Sequence, residues 1–216
     1  GAGGSEPSSP ERAIPRILHQ TYPTAAVPPR ISGLLETWRR QNPNWEVRFW
    51  DDAACEAFVR DSFPAYYTAY RGLPKDVERA DFFRYMVVLK HGGVYADVDT
   101  ECRTPMDELL LPDDTFVAGW ENEFPTAAKA IRRHYIRKRQ ILQWTFAAAP
   151  GHPALKAVCD RVNENSDHIF SNNTNRDTLE RTGPGVWTDV LVDYALNVPL
   201  RARAGGAAGT GAGWGG

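Results

Sequence analysis

The chain has 216 residues, long enough for one domain in which helices cover a buried sheet. Its 25 basic and 27 acidic side chains give a formal net charge of -2 and are spread along the sequence, so there is no basic footprint for nucleic acid or for an anionic membrane surface. Three cysteines, Cys55, Cys102 and Cys159, lack CxxC spacing, which argues against a zinc site, and their odd number leaves at least one thiol free if two are bridged.

Residues 1–13 read as a flexible leader rich in small residues and proline, residues 14–200 as the folded domain, and residues 201–216 as a Gly/Ala-rich tail. No apolar run approaches the ~20 residues needed to span a bilayer. Any membrane anchor is therefore expected outside this sequence. Residues 14–20 (IPRILHQ) and 45–50 (WEVRFW) predict strands. Between them ISGLLETWRRQNP predicts a helix, with Ile31, Leu34, Leu35 and Trp38 on one face and Asn42-Pro43 as its stop. DAACEAFVRDSFP predicts a second helix, capped by Asp52 and ended before Pro64. VERADFFRYMVVLKHGG predicts a longer one, punctuated by Gly92-Gly93, and residues 94–99 a third strand. Alternating strands and helices predict an α/β domain with a mostly parallel central sheet flanked by helices, whose ligands lie beyond the carboxyl ends of the strands.

Asp97 and Asp99 fall at such an end. In extended chain, residues i and i+2 point the same way, so the two carboxylates would sit together while Val98 packs on the other side. Paired anions call for a cation, and hard oxygen ligands suit Mg²⁺ or Mn²⁺ completed by water and substrate phosphates. The alternative is two solvent-facing aspartates closing a strand. In the preceding helix Asp81, Arg84 and Tyr85 share a face at i, i+3 and i+4, inside an otherwise apolar surface. A guanidinium there suits a phosphate or a sugar hydroxyl; the alternative is a surface ion pair.

The stretch ADFFRYMVVLKHGGVYADVDTECRTPMDEL resembles the DxD sugar-binding region of glycosyltransferase family 32. The likeness extends to IPRILHQTY, NPNWEVRFWDD, QWTFAAAPGHPAL and TGPGVWTD, spanning residues 14–195, and is greatest to the fungal initiation-specific α-1,6-mannosyltransferases. It implies a GT-A fold, the Rossmann-like fold of nucleotide-diphospho-sugar transferases. It also implies Mn²⁺ or Mg²⁺, a nucleotide-sugar donor (GDP-mannose in the fungal group), a glycan or glycoprotein acceptor, retention of anomeric configuration and residence in the Golgi lumen. By the same resemblance Asp97 and Asp99 hold the metal, Asp99 more directly, with Asp97 shared with the ribose. Asp81 and Arg84 lie near the donor sugar and diphosphate, and His19, Gln20 and Thr21 at the nucleotide base and ribose. Ordinary turn chemistry is the alternative for these last three.

Further on, His152 is placed either as a cap or packing residue before a helix or in a catalytic or metal role, and Trp187 either in the core or as a sugar platform. A helix start is expected at Thr188 or Asp189, with an acceptor-site carboxylate as the alternative role for Asp189, and Gln143 is a candidate neighbour of the donor sugar. No histidine follows His168, although related retaining enzymes often take a third metal ligand from a C-terminal segment. A noncatalytic nucleotide-sugar or glycan-binding module is thus the second expectation. Asn172-Asn173-Thr174 forms a glycosylation sequon.

Overall fold

The computed structural model describes residues 12–171 and 174–197. The expected leader through residue 11, the sequon asparagines and the expected tail lie outside the described residues. β1 (Ile17–Thr21), α1 (Pro29–Gln41) and β2 (Glu46–Trp50) follow the strand, helix, strand order read from the sequence. Helix α1 opens on a proline, whose missing N–H has no intrahelical partner to lose there. It buries Leu35 and Trp38 and stops at Asn42, which turns both its backbone N–H and its side-chain amide onto Trp38 O.

Three helices, α2 (Asp52–Ser62), α3 (Pro64–Gly72) and α4 (Asp76–His91), precede β3 (Gly93–Ala96). The cap of α2 is Asp51 rather than the expected Asp52: Asp51 is extended and its carboxylate accepts from Ala54 N at 2.8 Å. Pro64, expected only to end a helix, begins α3. The chain continues through α5 (Met106–Leu109), β4 (Phe116–Glu123), α6 (Ala127–Arg132), β5 (Arg139–Ala148), α7 (Pro153–Glu164), α8 (Thr174–Arg181) and α9 (Pro184–Asn197). Helix α9 begins at Pro184, before the expected Thr188 or Asp189. Those two face other elements instead: Thr188 Oγ1 accepts from Ile141 N at 3.1 Å, and Asp189 pairs with Arg137 at 2.6 Å.

The sheet order is β2-β1-β3-β5-β4. β1 pairs in parallel with β2 and β3, whereas β5 is antiparallel to both its neighbours. Four strands therefore share one direction and the sheet is mixed only through β5. Alternation along β3 divides the core: Tyr95 packs with α4, α7 and α9, while Val94 and Ala96 join Leu18 and Trp38 on the α1 face. All three cysteines are buried and free.

Helix α4 passes directly into β3 through Gly92 (φ 66°) and Gly93 (φ 99°), the left-handed conformations that a Cβ disfavours. A Cβ on Gly93 would stand 2.3 Å from Ile17 O, inside the contact between β1 and β3. Gly93→Ala should therefore cost about 2 kcal/mol or more, read as a lower urea midpoint with an unchanged m-value.

Candidate active site

Helix α4 is buried on nearly every side, and Asp81 and Arg84 sit within it at 5% and 7% exposure. Buried charges need partners. Arg84 Nη2 lies 3.0 Å from Asp81 Oδ1 and 3.3 Å from Asp97 Oδ1, with the guanidinium 5.0 Å over the Tyr95 ring. Burial opposes the Arg84 charge, yet Tyr95, Asp97 and Asp81 together hold its pKa above the ordinary arginine value. Asp81 Oδ2 accepts from Thr182 Oγ1 at 3.0 Å. Burial pushes the Asp81 carboxyl up to about 7, against the downward pull of Arg84 and Thr182. The pair is thus buried, unlike the surface ion pair weighed from the sequence.

Strand β3 ends at Ala96, so Asp97 to Asp99 are not extended as expected. They form a turn in which Thr100 donates its N–H (3.2 Å) and its hydroxyl (2.5 Å) to Asp97 O. Same-face alternation does not apply to a turn, and Val98 is only half-buried, lining the cavity beside both aspartates rather than packing behind them. Asp97 Oδ1 also accepts from Tyr95 OH at 2.9 Å, and that hydroxyl lies 3.1 Å from Thr21 Oγ1. Both Asp97 contacts fall on Oδ1; Oδ2 has no partner among the described residues, and neither has the exposed Asp99 carboxylate. The repulsion invoked from the sequence is relieved at Asp97 by Arg84.

Thr21, Arg84, Asp97 and Asp99 line one cleft of about 550 Å³ at the carboxyl ends of β1 and β3. A second cleft, of about 500 Å³, holds Asp81 and shares Arg84 and Asp97 with the first. Arg84 and Asp97 therefore form the seam between the two clefts, with Asp99 on one side of it and Asp81 on the other. Of the expected base and ribose contacts, only Thr21 lines the first cleft. His19 is fully buried, its Nε2 3.0 Å from Gly92 O and its Nδ1 accepting from Trp50 Nε1 at 3.3 Å; burial lowers its pKa to about 4. Gln20 is also fully buried, with both amide atoms unpartnered among the described residues.

The later candidates separate similarly. His152 caps α7, accepting from Ala154 N at 3.3 Å, and packs on Phe116 and Tyr194. Trp187 is core: it is fully buried, stacks on Tyr85 at 5.1 Å and donates to Leu142 O. Gln143 lines the second cleft but spends its amide N–H groups on Tyr85 OH and Thr182 O. Tyr95 and Thr182 were not anticipated. Tyr95 had a local signal, standing two residues before Asp97; Thr182, 101 residues from Asp81, had none.

Residues 28–117 match the glycosyltransferase sugar-binding region containing a DXD motif. The initiation-specific α-1,6-mannosyltransferase of Schizosaccharomyces pombe is 33% identical over 198 residues, 84% of this chain and 48% of the relative. The enzyme of the same description from Candida albicans is 27% identical over 217 residues, 89% of this chain and 56% of the relative. The chain spans about half the length of the curated relatives it matches. Among solved structures, the PaToxG glycosyltransferase superposes with a TM-score of 0.61 at 17% identity, covering 86% of this chain and 71% of its own. That likeness shows the fold, the GT-A glycosyltransferase fold expected from the sequence.

Arg84→Met would leave Asp81 buried without its cation, a loss of about 3–5 kcal/mol expected near pH 8. The pH dependence has a definite sign. The folded pKa of Asp81 lies above its unfolded value, so its favourable contribution is complete at low pH and lost as pH rises through the folded pKa. Once protonated, Asp81 no longer needs Arg84. Urea midpoints should therefore separate wild type and variant more at pH 8 than at pH 5.

Proposed function

We propose, on the premise that residues 28–117 belong to the DXD-containing sugar-binding region of glycosyltransferases, that this protein transfers a hexose, mannose from GDP-mannose, to a glycan acceptor with retention of configuration. The observation that carries the proposal is the convergence of Arg84, Asp97 and Asp99 on one cleft at the strand ends. Mannose is chosen because the Schizosaccharomyces pombe and Candida albicans relatives are mannosyltransferases. The same likeness supports a secretory-pathway setting, which we read as the Golgi lumen. Among the described residues no helix is long and apolar enough to cross a membrane.

The donor set fits a hard divalent cation. Asp99 and Asp97 Oδ2 are free carboxylate oxygens in the cleft, and no group of three or more His, Cys, Asp or Glu side chains placed to hold a metal occurs among the described residues. Two carboxylates with water and phosphates suit Mg²⁺ or Mn²⁺ rather than a closed zinc site. Asp99 would be the more direct ligand, with Asp97 between ion and ribose. An ion held by these residues would supply positive charge for a diphosphate leaving group.

The chain's own groups do the rest. Arg84, held protonated and with Nε unpartnered among the described residues, supplies fixed positive charge for phosphate oxygens. Asp81 and Tyr95 hold the guanidinium and the Asp97 carboxylate so that little reorganisation is needed at transfer. The acceptor oxygen bonds to the anomeric carbon on the face from which phosphate departs, as the carbon–phosphate-oxygen bond breaks. The departing phosphate takes the acceptor's proton, so no protein nucleophile is required.

A panel of nucleotide sugars with Mn²⁺ tests this directly. GDP-mannose at about 100 times its Kd should raise Tm by roughly 5–10 °C, whereas other nucleotide sugars give less. Asp99→Ala should retain its fold and lose both the metal-dependent shift and transfer. Full turnover by that variant would refute its role, and a shift without any turnover in the wild type would favour a binding module.

A further inference from the structure

The second cleft holds Asp81 and Gln143, expected beside the donor sugar, and also an aromatic side chain, Trp144, that no donor role claims. Asp97 N–H donates to Trp144 O at 2.8 Å, one rung beyond the Ala96 to Thr145 pairing of β3 with β5. The ladder thus fixes Trp144 beside the first aspartate of the DxD turn. Its indole is 40% exposed, lines the second cleft and has no hydrogen-bond, ring or cation partner among the described residues. The contrast with other tryptophans is informative: Trp187 is buried and stacked, and the exposed Trp120 is covered by the Arg139 guanidinium at 4.3 Å. A large apolar ring left bare beside a polar seam is an available platform.

Around it the cleft is polar and built. Buried Gln140 donates to Glu121 Oε2 at 2.7 Å while its carbonyl accepts from Ile136 N at 3.1 Å and Arg137 N at 3.3 Å. This one amide therefore holds a carboxylate and the loop after α6 against the cleft. That loop carries His134 at φ 65°, a conformation uncommon for a side chain larger than glycine. Glu121 Oε1 has no partner among the described residues. Three carboxylates, Asp81, Asp97 and Glu121, line the space together with Arg133 and His134. Arg84, which lines the same space, is already paired with Asp81 and Asp97, so Glu121 Oε1 is the acceptor left there for a ligand hydroxyl.

We infer that the second cleft receives the acceptor glycan, one neutral hexopyranoside lying with its C–H face on Trp144 and a hydroxyl donating to Glu121. The inference rests on the glycosyl-transfer reading above and adds the acceptor's place to it. The shared seam of Arg84 and Asp97 then lies between the donor's phosphates and the acceptor's hydroxyl. Trp144 is a specificity-determining contact, and Gln140 a positioning residue acting through Glu121.

Two arms test it. In transfer assays with GDP-mannose, Trp144→Ala should raise the KM for an α-mannoside acceptor about tenfold, and Trp144→Phe should recover most of it. The KM for GDP-mannose should move by less than about twofold. An unchanged acceptor KM, or an equal rise in both, overturns the inference. Saturation-transfer NMR with methyl α-D-mannopyranoside and no donor is the second arm. Sugar signals in the wild type that vanish in Trp144→Ala and return in Trp144→Phe support the site, whether or not transfer is found. Their absence in the wild type or their persistence in Trp144→Ala would overturn it.

Discussion

Arg84 is a cation enclosed in a helix that is apolar on almost every side, and its enclosure is possible only because two carboxylates from different elements meet it. Asp81 approaches from one turn earlier in α4, Asp97 from the turn after β3. A buried guanidinium with one partner missing would be strongly unfavourable. The sheet, the α4 to β3 connection and the DxD turn must therefore come together in one register. Gly92 and Gly93 make this possible, because the tight reversal they permit brings the end of the strand back past the helix that precedes it.

Two polar clefts follow from that arrangement. Asp97 commits one carboxylate oxygen to Arg84 and Tyr95, which leaves the other, with Asp99, toward the cleft where a metal and diphosphate fit. On the other side Thr182 ties the α8 to α9 corner to Asp81 through its hydroxyl, and to Tyr85 and Gln143 through its carbonyl. Deeper in the same corner Glu78 and Arg181 form a buried pair at 2.9 Å. The second half of the chain is thereby fastened to α4 by polar contacts as well as by the stack of Tyr85 on Trp187.

Much of this was legible in the sequence where the signals are local. The period of α1, the apolar run of α4, the glycine pair and the aspartates all fall within a few residues of one another, and the structure puts them in the expected order. The extended reading of residues 97–99 failed because Thr100 closes a turn on Asp97 O, a side-chain hydrogen bond that strand periodicity does not register. His19 was expected at the nucleotide base and ribose from the family resemblance. In the fold β1 is central and its side chain is enclosed between Gly92 and Trp50. Between two tryptophans, nothing local distinguishes Trp187 from Trp144. Trp187 is packed because α9 sets it against Tyr85 and β5, whereas Trp144 stands exposed where β5 returns beside β3. The contacts of Thr182 span more than a hundred residues and belong to tertiary structure alone.

The account turns on the seam of Arg84, Asp97 and Asp99 being where a nucleotide diphosphate and its cation are held. A crystal structure of the protein grown with Mn²⁺ and GDP tests this most directly. The expected density has the ion on the Asp99 carboxylate, diphosphate oxygens within hydrogen-bond reach of Arg84 and the ribose near Asp97. Nucleotide bound elsewhere, or bound here with both aspartates turned away from ion and phosphate, would contradict it.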